Sequence, residues 1–329
     1  MPRNSALYIE RAALEYPHGV ALFERFADRP RITIDSYTEV FARPGQDIRG
    51  QKGRPALVAA VGSSPFIYDA PVHVTGPGDL PVRYNAQLRN CVYDCDYCFL
   101  QGMHPSGHTL VFVNSADFHG AAVARAREGD YWLSISYLSD ILGFERVLPL
   151  ASDWIELARG TPGITLEIRT KGDAHLVPSV DPPSNVVLVW TLSPAQIARR
   201  YERGTAGFEH RLQAVATAAE RGWRVRLAFD PVVLVPRWGQ TYREMLARVE
   251  ADVPDTAVEA ATYGVFRMSA DYARRITAAR ADSRILHHPF VRSGGLVTYS
   301  EQEIGAVHRV VGEPLRRWLG SDRVAFVHE

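Results

Sequence analysis

The sequence predicts an α/β protein built around a parallel β-sheet. Two observations lead to this prediction. From residue 82 onward, short apolar segments alternate with segments of helical length, in which apolar residues recur at spacings of three and four,. The run at 186–190 is apolar at successive positions, which is typical of a parallel strand that is buried on both faces,. About six such units fit a barrel or a partial barrel as well as an open sheet.

The individual elements follow from the same patterns. Strands are predicted at 56–62, 109–114, 131–137, 164–169, 185–190 and 223–229. Helices are predicted at 6–26, at 116–128 with Ser115 as the N-cap, at 146–158, at 208–219 with Gly222 ending it, and at 242–249,. The first 80 residues are otherwise irregular, and the segment at 292–299 predicts a hairpin,. Ligands of such folds bind beyond the carboxyl ends of the strands, so the candidate site residues are sought there.

Composition excludes several classes of protein. Apolar residues make up 46% of the 329 positions and charged residues 22%, which excludes a wholly disordered or collagen-like chain,. Basic and acidic residues are equal at 37 each, so net charge by itself does not indicate nucleic acid or an acidic membrane as a partner,. The sequence has no apolar run long enough for a membrane span and no apolar signal core at its start,. We therefore expect a cytoplasmic protein.

All three cysteines of the chain, Cys91, Cys95 and Cys98, fall within eight residues in the pattern C-x3-C-x2-C. An odd, clustered set without a signal peptide does not fit a disulfide framework. Three thiolates on one loop can hold a [4Fe-4S] cluster and leave one iron without a protein ligand. Two alternatives stay open: a zinc site completed by His104 or His108, and buried free cysteines without a ligand.

The pattern C-x3-C-x-aromatic-C, with Tyr97 as the aromatic residue, resembles the signature of radical S-adenosylmethionine (SAM) enzymes. The resemblance implies a partial (β/α)6 barrel and a [4Fe-4S] cluster whose open iron binds SAM through its amino and carboxylate groups. In that superfamily an electron from the cluster cleaves SAM, and the 5′-deoxyadenosyl radical that forms takes a hydrogen atom from the substrate.

Within that superfamily the chain resembles the spore photoproduct lyase family of DNA repair enzymes. The resemblance is carried by motifs in the family's order: Phe-Leu-Gln at 99–101, Ser-Asp-Ile-Leu-Gly at 139–143, Thr-Lys at 170–171, Glu-Arg-Gly-Thr at 202–205 and the hairpin. It implies a lyase-like enzyme acting on a nucleic acid lesion or a nucleotide-like substrate. It also implies an electron donor such as flavodoxin or ferredoxin, and no membrane partner.

The resemblance also implies SAM contacts. Lys171 would bind the SAM carboxylate or ribose; it and Lys52 are the only lysines among 37 basic residues, and a solvated loop lysine is the alternative. Ser139 would bind the SAM amino acid moiety, or else cap a helix. Thr191 matches a SAM-contacting serine of the family, and Tyr97 would contact the adenine.

Other polar residues around these motifs have more ordinary expected roles. Asp94 and Asp96 are expected to be solvated or to form turns beside the cluster. Ser193 precedes Pro194, which predicts a helix N-cap followed by proline at the first helical position. Arg292, on the hairpin, and Trp238 are candidate contacts to nucleic acid phosphates, with exposed side chains of no such role as the alternative.

The chain departs from the family at one decisive position. The family returns a hydrogen atom to the repaired base from a cysteine three residues before the aspartate of the Ser-Asp motif. Here that position is Tyr137, which we expect beside the substrate, and the tyrosine that follows the third cluster cysteine in the family is Phe99. With no fourth cysteine in the chain, the thiol relay is absent.

We predict a radical SAM core at 81–300, an N-terminal extension at 1–80 and a C-terminal helical tail at 301–329. The favoured function is a radical SAM enzyme of the spore photoproduct lyase type. One alternative is a radical SAM enzyme acting on a small molecule or peptide. The other is a non-catalytic iron–sulfur or zinc protein that binds nucleic acid.

Overall fold

The computed structural model describes residues 5–70 and 80–327. Its strands are, in chain order, β1 (Leu7–Glu10), β2 (Arg31–Ile34), β3 (Leu57–Ala60), β4 (Ile67–Asp69), β5 (Val82–Asn85), β6 (Leu88–Arg89), β7 (Asp94–Cys95), β8 (Thr109–Phe112), β9 (Tyr131–Ser134), β10 (Ile164–Thr170), β11 (Val186–Thr191), β12 (Glu202–Arg203), β13 (Arg224–Val232), β14 (Ala260–Val265), β15 (Arg267–Ser269), β16 (Val291–Ser293), β17 (Leu296–Thr298) and β18 (Val324–Val327).

The α-helices are α1 (Pro17–Arg25), α2 (Thr38–Phe41), α3 (Ile48–Gly53), α4 (Leu100–Met103), α5 (Ser115–Ala126), α6 (Ile141–Phe144), α7 (Leu150–Arg159), α8 (Ala195–Tyr201), α9 (Phe208–Glu220), α10 (Trp238–Asp252), α11 (Ala270–Ala279), α12 (Glu301–Val307) and α13 (Glu313–Leu319). A π-helical turn at His308–Gly312 joins α12 to α13. In the described ranges, no helix is long and apolar enough to cross a membrane.

The larger sheet has the strand order β18-β14-β13-β11-β10-β9-β5-β4. Neighbouring strands from β5 to β18 run parallel, and β4 is antiparallel to β5 at the edge. Among the described residues β18 and β4 do not pair with each other, so the barrel is not closed. The predicted α/β fold with a partial barrel is therefore confirmed, and its strands end together on the side where the site residues lie.

The N-terminal region is more regular than predicted. The strands β2-β1-β3-β8-β6 form a second sheet, parallel except for β6. The helix predicted at 6–26 is wrong: Leu7 and Ile9 alternate with less buried neighbours as a strand, and α1 begins only at Pro17, where proline suits a first turn,. The strand predicted at 109–114 forms as β8, but it pairs with β3 in this sheet, because an apolar run does not specify its partner.

The predicted helices mostly form, with shifted boundaries. The helices at 208–219 and 242–249 correspond to α9 and α10, and Gly222 follows α9 with a φ of +81°, as a helix stop requires,. The prediction of Ser115 as N-cap is wrong by one residue, since Asn114 occupies that position. The helix predicted at 146–158 is α7 alone, and it begins after Pro149, which disfavours helical geometry in the residue before it,.

The C-terminal hairpin is confirmed: β16 and β17 pair antiparallel, and Gly294 and Gly295 both have a positive φ in the turn between them,. The same small sheet includes β15. The segment after 301 contains α12 and α13 as expected, and it also contributes β18 to the larger sheet. The division of the chain at 80/81 and 300/301 stays a prediction.

Candidate active site

The three cysteines lie on one loop, here called the cysteine loop (residues 91–98), between β6 and α4. Cys95 is buried and the other two are half-buried. The pKa of the Cys91 thiol is raised to about 12, chiefly by burial, with smaller contributions from Asp140 and from the Cys98 thiol. Burial also raises the pKa of Cys95, as do Cys91 and Cys98, so the three thiols lie within electrostatic range of one another.

This donor set fits a [4Fe-4S] cluster. In the described part of the chain, no three His, Cys, Asp or Glu side chains converge on a position for a single metal ion. A cubane cluster has a different requirement, because each thiolate binds a different iron atom. Three thiols on one eight-residue loop, in a chain without a fourth cysteine, match that requirement and leave one iron free for another ligand.

The entry of the cysteine loop is held in an unusual backbone conformation. Asn90 has a φ of +63°, a value that L-residues other than asparagine and aspartate rarely adopt,. Its side-chain amide donates to the carbonyls of Ser106 and His108 at 2.8 and 2.9 Å. Its own carbonyl accepts from the Ser139 hydroxyl at 3.0 Å. Ser139, predicted to bind SAM, is thus buried, and its hydroxyl supports the backbone directly before the first cysteine.

Lys52 also supports the loop. Its ammonium donates to the carbonyls of Cys91 and Tyr93, at 2.6 and 3.3 Å. No role for Lys52 was predicted from the sequence. Both lysines of the chain therefore contact the cysteine loop. Lys52 contacts backbone carbonyls of the loop, and Lys171 contacts the Cys95 sulfur.

The two aspartates of the loop were predicted to be solvated or to form turns. Asp96 does lie in a turn, but it is not solvated, and Asp94 is half-buried. Asp96 is buried and accepts from Arg203 and Ser283, each at 2.6 Å. Arg280, itself buried, binds Asp94 and Asp96. These cations compensate for the cost of burying the carboxylates, and they anchor the loop to β12 and to the end of α11.

A buried polar cluster lies against Cys95, and we call it the Glu202 cluster: Glu202, Lys171, Tyr97, Ser193 and Arg211. The Lys171 ammonium is 3.9 Å from the Cys95 sulfur, 2.6 Å from the Tyr97 hydroxyl and 3.0 Å from Glu202 Oε1. Tyr97 and Arg211 also donate to Glu202. Lys171 directly follows β10, at the carboxyl end of a strand, where site residues were predicted to lie.

Glu202 stays ionised within this cluster. Burial by itself would raise the pKa of its carboxyl, but Lys171 and Arg211 together hold that pKa well below its ordinary value. Antiparallel pairing of Glu202 with Cys95 places the carboxylate under the loop. No role for Glu202 was predicted from the sequence, although its place as the acidic residue of the Glu-Arg-Gly-Thr motif was a usable signal.

The Glu202 cluster predicts a large stability effect. Glu202→Gln leaves Arg211, which is fully buried, without its carboxylate, so we expect the free energy of unfolding to fall by about 3–5 kcal/mol,. Urea unfolding of the metal-free protein measures it. Glu209→Gln removes an exposed carboxylate near Arg248 and serves as the control, with an expected change below about 0.5 kcal/mol,. Equal stability of the two variants would contradict this account of the cluster.

Three further residues have defined positions. Thr191 ends β11, and its carbonyl accepts from Arg211 at 2.9 Å. Ser193 does not cap α8, contrary to the prediction: its hydroxyl donates to Glu202 at 2.7 Å, which holds the side chain away from the helix N-terminus. Asp140 caps α6 through Gly143 N at 2.8 Å.

Tyr137 lies in an aromatic group beside the cysteine loop. Its ring centre is 4.6 Å from that of Tyr84 and 5.8 Å from that of Phe99. These three side chains share one apolar cluster with Cys91 and Cys98. Position 137 is therefore close to the proposed iron–sulfur centre, as its place after β9 predicts.

The histidines considered for zinc make other contacts. His108 Nδ1 accepts from Ala56 N at 3.1 Å. His104 is buried against the ring of Phe41, and burial lowers the pKa of its imidazole to about 4.

His104 predicts a pH dependence of stability. The unfolded chain protonates this histidine at its ordinary pKa near 6.5, whereas the folded chain does so only near 4. The stabilisation is therefore complete above pH 6.5 and is lost as the pH falls from 6.5 to 4. We expect a loss of about 2 kcal/mol between pH 7 and pH 5 that is missing in His104→Leu. Urea unfolding at both pH values checks it, and equal pH dependence in the two proteins would refute it.

Comparisons with known proteins bear on this geometry. The sequence profile of the spore photoproduct lyase family matches residues 2–285. The chain belongs to the spore photoproduct lyase family. It is 26% identical over 253 residues to spore photoproduct lyase from Geobacillus sp., covering 73% of this chain and 71% of that protein. It is 24% identical over 257 residues to the Bacillus subtilis enzyme, covering 75% and 73%.

Solved structures of spore photoproduct lyase share the fold. One of them, complexed with dinucleoside spore photoproduct, superposes with a TM-score of 0.80 at 20% identity and covers 99% of this chain and 98% of its own. A variant with bound AdoMet and dinucleoside spore photoproduct gives the same values. The predicted family and the prediction of an enzyme are therefore confirmed. In this member of the spore photoproduct lyase family, position 137 is a tyrosine and carries no thiol.

The two candidate nucleic acid contacts lie away from the cysteine loop in the chain. Arg292 is exposed on β16, opposite Val297 of β17. Trp238 begins α10, and its ring centre lies 6.3 Å from that of Tyr242. No contact joins either residue to the Glu202 cluster among the described residues, so their role stays a prediction.

Proposed function

We propose that this chain is a radical SAM enzyme that acts on a lesion in nucleic acid. The observation that carries the proposal is the cysteine loop together with Lys171, whose ammonium is 3.9 Å from the Cys95 sulfur. Membership of the spore photoproduct lyase family supports it. The solved relatives that hold AdoMet and a dinucleoside lesion support the choice of cofactor and of substrate class.

Cys91, Cys95 and Cys98 would hold a [4Fe-4S] cluster. When bound and reduced, that group supplies the electron that cleaves SAM to a 5′-deoxyadenosyl radical. The chain's part is to exclude water and to position SAM. The buried Cys95 and the aromatic group around Tyr137 provide the dry surroundings.

The residues proposed to bind SAM are Lys171, Tyr97, Ser139 and Thr191. Lys171 is the cation for the SAM carboxylate, and in this structure it is held ready by Glu202 and by Tyr97, over whose ring it also lies at 4.7 Å,. Ser139 contacts the start of the cysteine loop through Asn90, and the Thr191 carbonyl accepts a hydrogen bond from Arg211. An electron donor such as flavodoxin or ferredoxin would reduce the centre.

Tyr137 is proposed to face the substrate, and the hairpin with Arg292, together with Trp238, to contact nucleic acid phosphates. An enzyme that acts on a stacked base must first extrude it, at a cost of a few kcal/mol. Contacts between these side chains and the phosphates of the nucleic acid would hold its strand in place while the base is extruded.

We expect the anaerobically reconstituted protein to carry one [4Fe-4S] cluster, because three thiolates in this spacing suit it better than zinc. Iron and sulfide analysis with absorption spectroscopy measures it. Cys98→Ala is the matched variant and should lose the cluster. Stoichiometric zinc without iron would instead support the zinc-protein alternative.

The substrate is tested by a product profile. Reduced protein is incubated with SAM and UV-irradiated DNA, and separately without DNA. Lesion-dependent products, with a mobility shift on DNA, are the expected result. Formation of 5′-deoxyadenosine without any effect of DNA would point to a small molecule or peptide as the substrate.

A further inference from the structure

A cavity of about 90 Å³ opens at the carboxyl edge of the N-terminal sheet. We call it the serine-loop cavity; its lining includes Tyr37, Gly62, Ser63, Ser64, Tyr68 and Arg89. In the sheet order β2-β1-β3-β8 the chain adds β2 on one side of β1 and β3 on the other, so the order in which strands are added reverses between β1 and β3. The serine loop (residues 61–65) directly follows β3. In open α/β sheets, ligands bind beyond the carboxyl ends of the strands at such a reversal.

The charge of the cavity is positive. Arg89 is the only charged residue among the described residues that line it. Its guanidinium lies 5.0 Å from the ring centre of Phe112, and its Nε is buried without a hydrogen-bond partner in the described part of the chain. The carboxylate of Glu10 is already occupied, since it accepts from the amides of Tyr37 and Val61 at 2.6 and 2.8 Å.

The serine loop adds two exposed hydroxyl groups. Gly62 is fixed by Asn114, which accepts from its amide at 2.8 Å and donates to its carbonyl at 3.0 Å. Ser63 and Ser64 come next and are exposed. Two hydroxyls on a fixed backbone beside an arginine are the donors that bind phosphate oxygens in proteins.

A row of rings connects the cavity to the proposed substrate side. Tyr68, which lines the cavity, stacks on Tyr84 with ring centres 5.3 Å apart. Tyr84 in turn contacts Tyr137 at 4.6 Å. The cavity is therefore two aromatic rings away from Tyr137. Its volume is room for several water molecules or for one phosphate group,.

We propose that the serine-loop cavity binds one backbone phosphate of the nucleic acid substrate. This inference rests on the proposed function, because it names the part of that substrate which this cavity recognises. Arg89 supplies the charge, and Ser63 and Ser64 supply hydrogen bonds. Free inorganic phosphate has the same chemistry, so the experiment separates the two sources.

The test measures binding of the reconstituted protein to a short labelled DNA duplex as a function of salt. Arg89→Gln should weaken binding about ten-fold and reduce the slope of log affinity against log salt by about 0.9, the value for one phosphate. Ser63→Asp, on an exposed residue, should weaken binding similarly by placing a carboxylate beside Arg89. Arg127→Gln, at an exposed arginine that does not line the cavity, should leave affinity and slope unchanged.

The outcomes are distinct. Unchanged affinity and slope in both Arg89→Gln and Ser63→Asp would overturn the inference while the proposed function stands, provided that the wild type binds the duplex and acts on its lesion. If the wild type does not bind DNA, the proposed function fails. Arg89-dependent binding of inorganic phosphate in that case would overturn the assignment of this cavity to nucleic acid.

Discussion

Lys171→Ala should weaken SAM binding by about 10- to 150-fold while leaving the iron–sulfur content unchanged. A charge-assisted contact to a carboxylate is worth about 1.5–3 kcal/mol, which corresponds to that range. The structure adds a reason to expect an intact fold. Glu202 keeps Arg211 as its partner when the ammonium is removed, so no buried carboxylate is left unpaired. Equilibrium binding of SAM to the reconstituted variant measures the effect.

Two variants make this result specific. Lys171→Arg keeps the charge but not the compact shape, and it should recover part of the affinity. Arg127→Ala removes one exposed positive charge and should change nothing. If Lys171→Ala binds SAM as the wild type does, Lys171 serves only to pair with Glu202 and to order the cysteine loop.

Tyr137→Cys should raise repair of dinucleotide spore photoproduct by about ten-fold or more over a wild type that repairs it poorly. A substrate radical must be quenched, and an O–H bond is a poorer hydrogen donor than S–H. Without a thiol, the radical either takes its hydrogen back from 5′-deoxyadenosine or a bound reductant, or ends in a different bond. Ten-fold corresponds to about 1.4 kcal/mol of barrier. Thymine product and 5′-deoxyadenosine are both quantified.

Tyr137→Ser is the matched control, because it removes the same ring from Tyr84 and Phe99 and differs from Tyr137→Cys only in the donor atom. Only the cysteine variant should gain repair. Efficient catalytic repair by the wild type would show that the missing thiol is not decisive and that another group donates the hydrogen atom.

Several site residues could be predicted from their positions at the carboxyl ends of strands. Lys171 follows β10 and Thr191 ends β11, and the structure brings Lys171 and Tyr97 together at Cys95. These positions can be predicted from the apolar pattern of each strand, because the carboxyl ends of parallel strands meet at one edge of a sheet. The motif order then placed the cysteine loop at the same edge.

Residues that act through long-range contacts were not predictable. Asp96 was expected to be solvated or to form a turn, and its ion pair with Arg280, 184 residues away in the chain, could not be predicted from the local sequence. Lys52 lies 39 residues before Cys91 and is one of only two lysines in the chain. That rarity marked it as unusual, but its contact with the cysteine loop is visible only in the structure. A strand's partner is equally non-local, which is why the place of β8 in the N-terminal sheet was missed.

The proposed SAM-cleaving centre is tested most directly by the yield of 5′-deoxyadenosine from SAM under reducing conditions, in the wild type and in Cys98→Ala. We expect 5′-deoxyadenosine from the cluster-loaded wild type and none above background from Cys98→Ala. A cluster-loaded wild type that forms none, or equal yields from the two proteins, would contradict the assignment of Cys91, Cys95 and Cys98 to a SAM-cleaving centre.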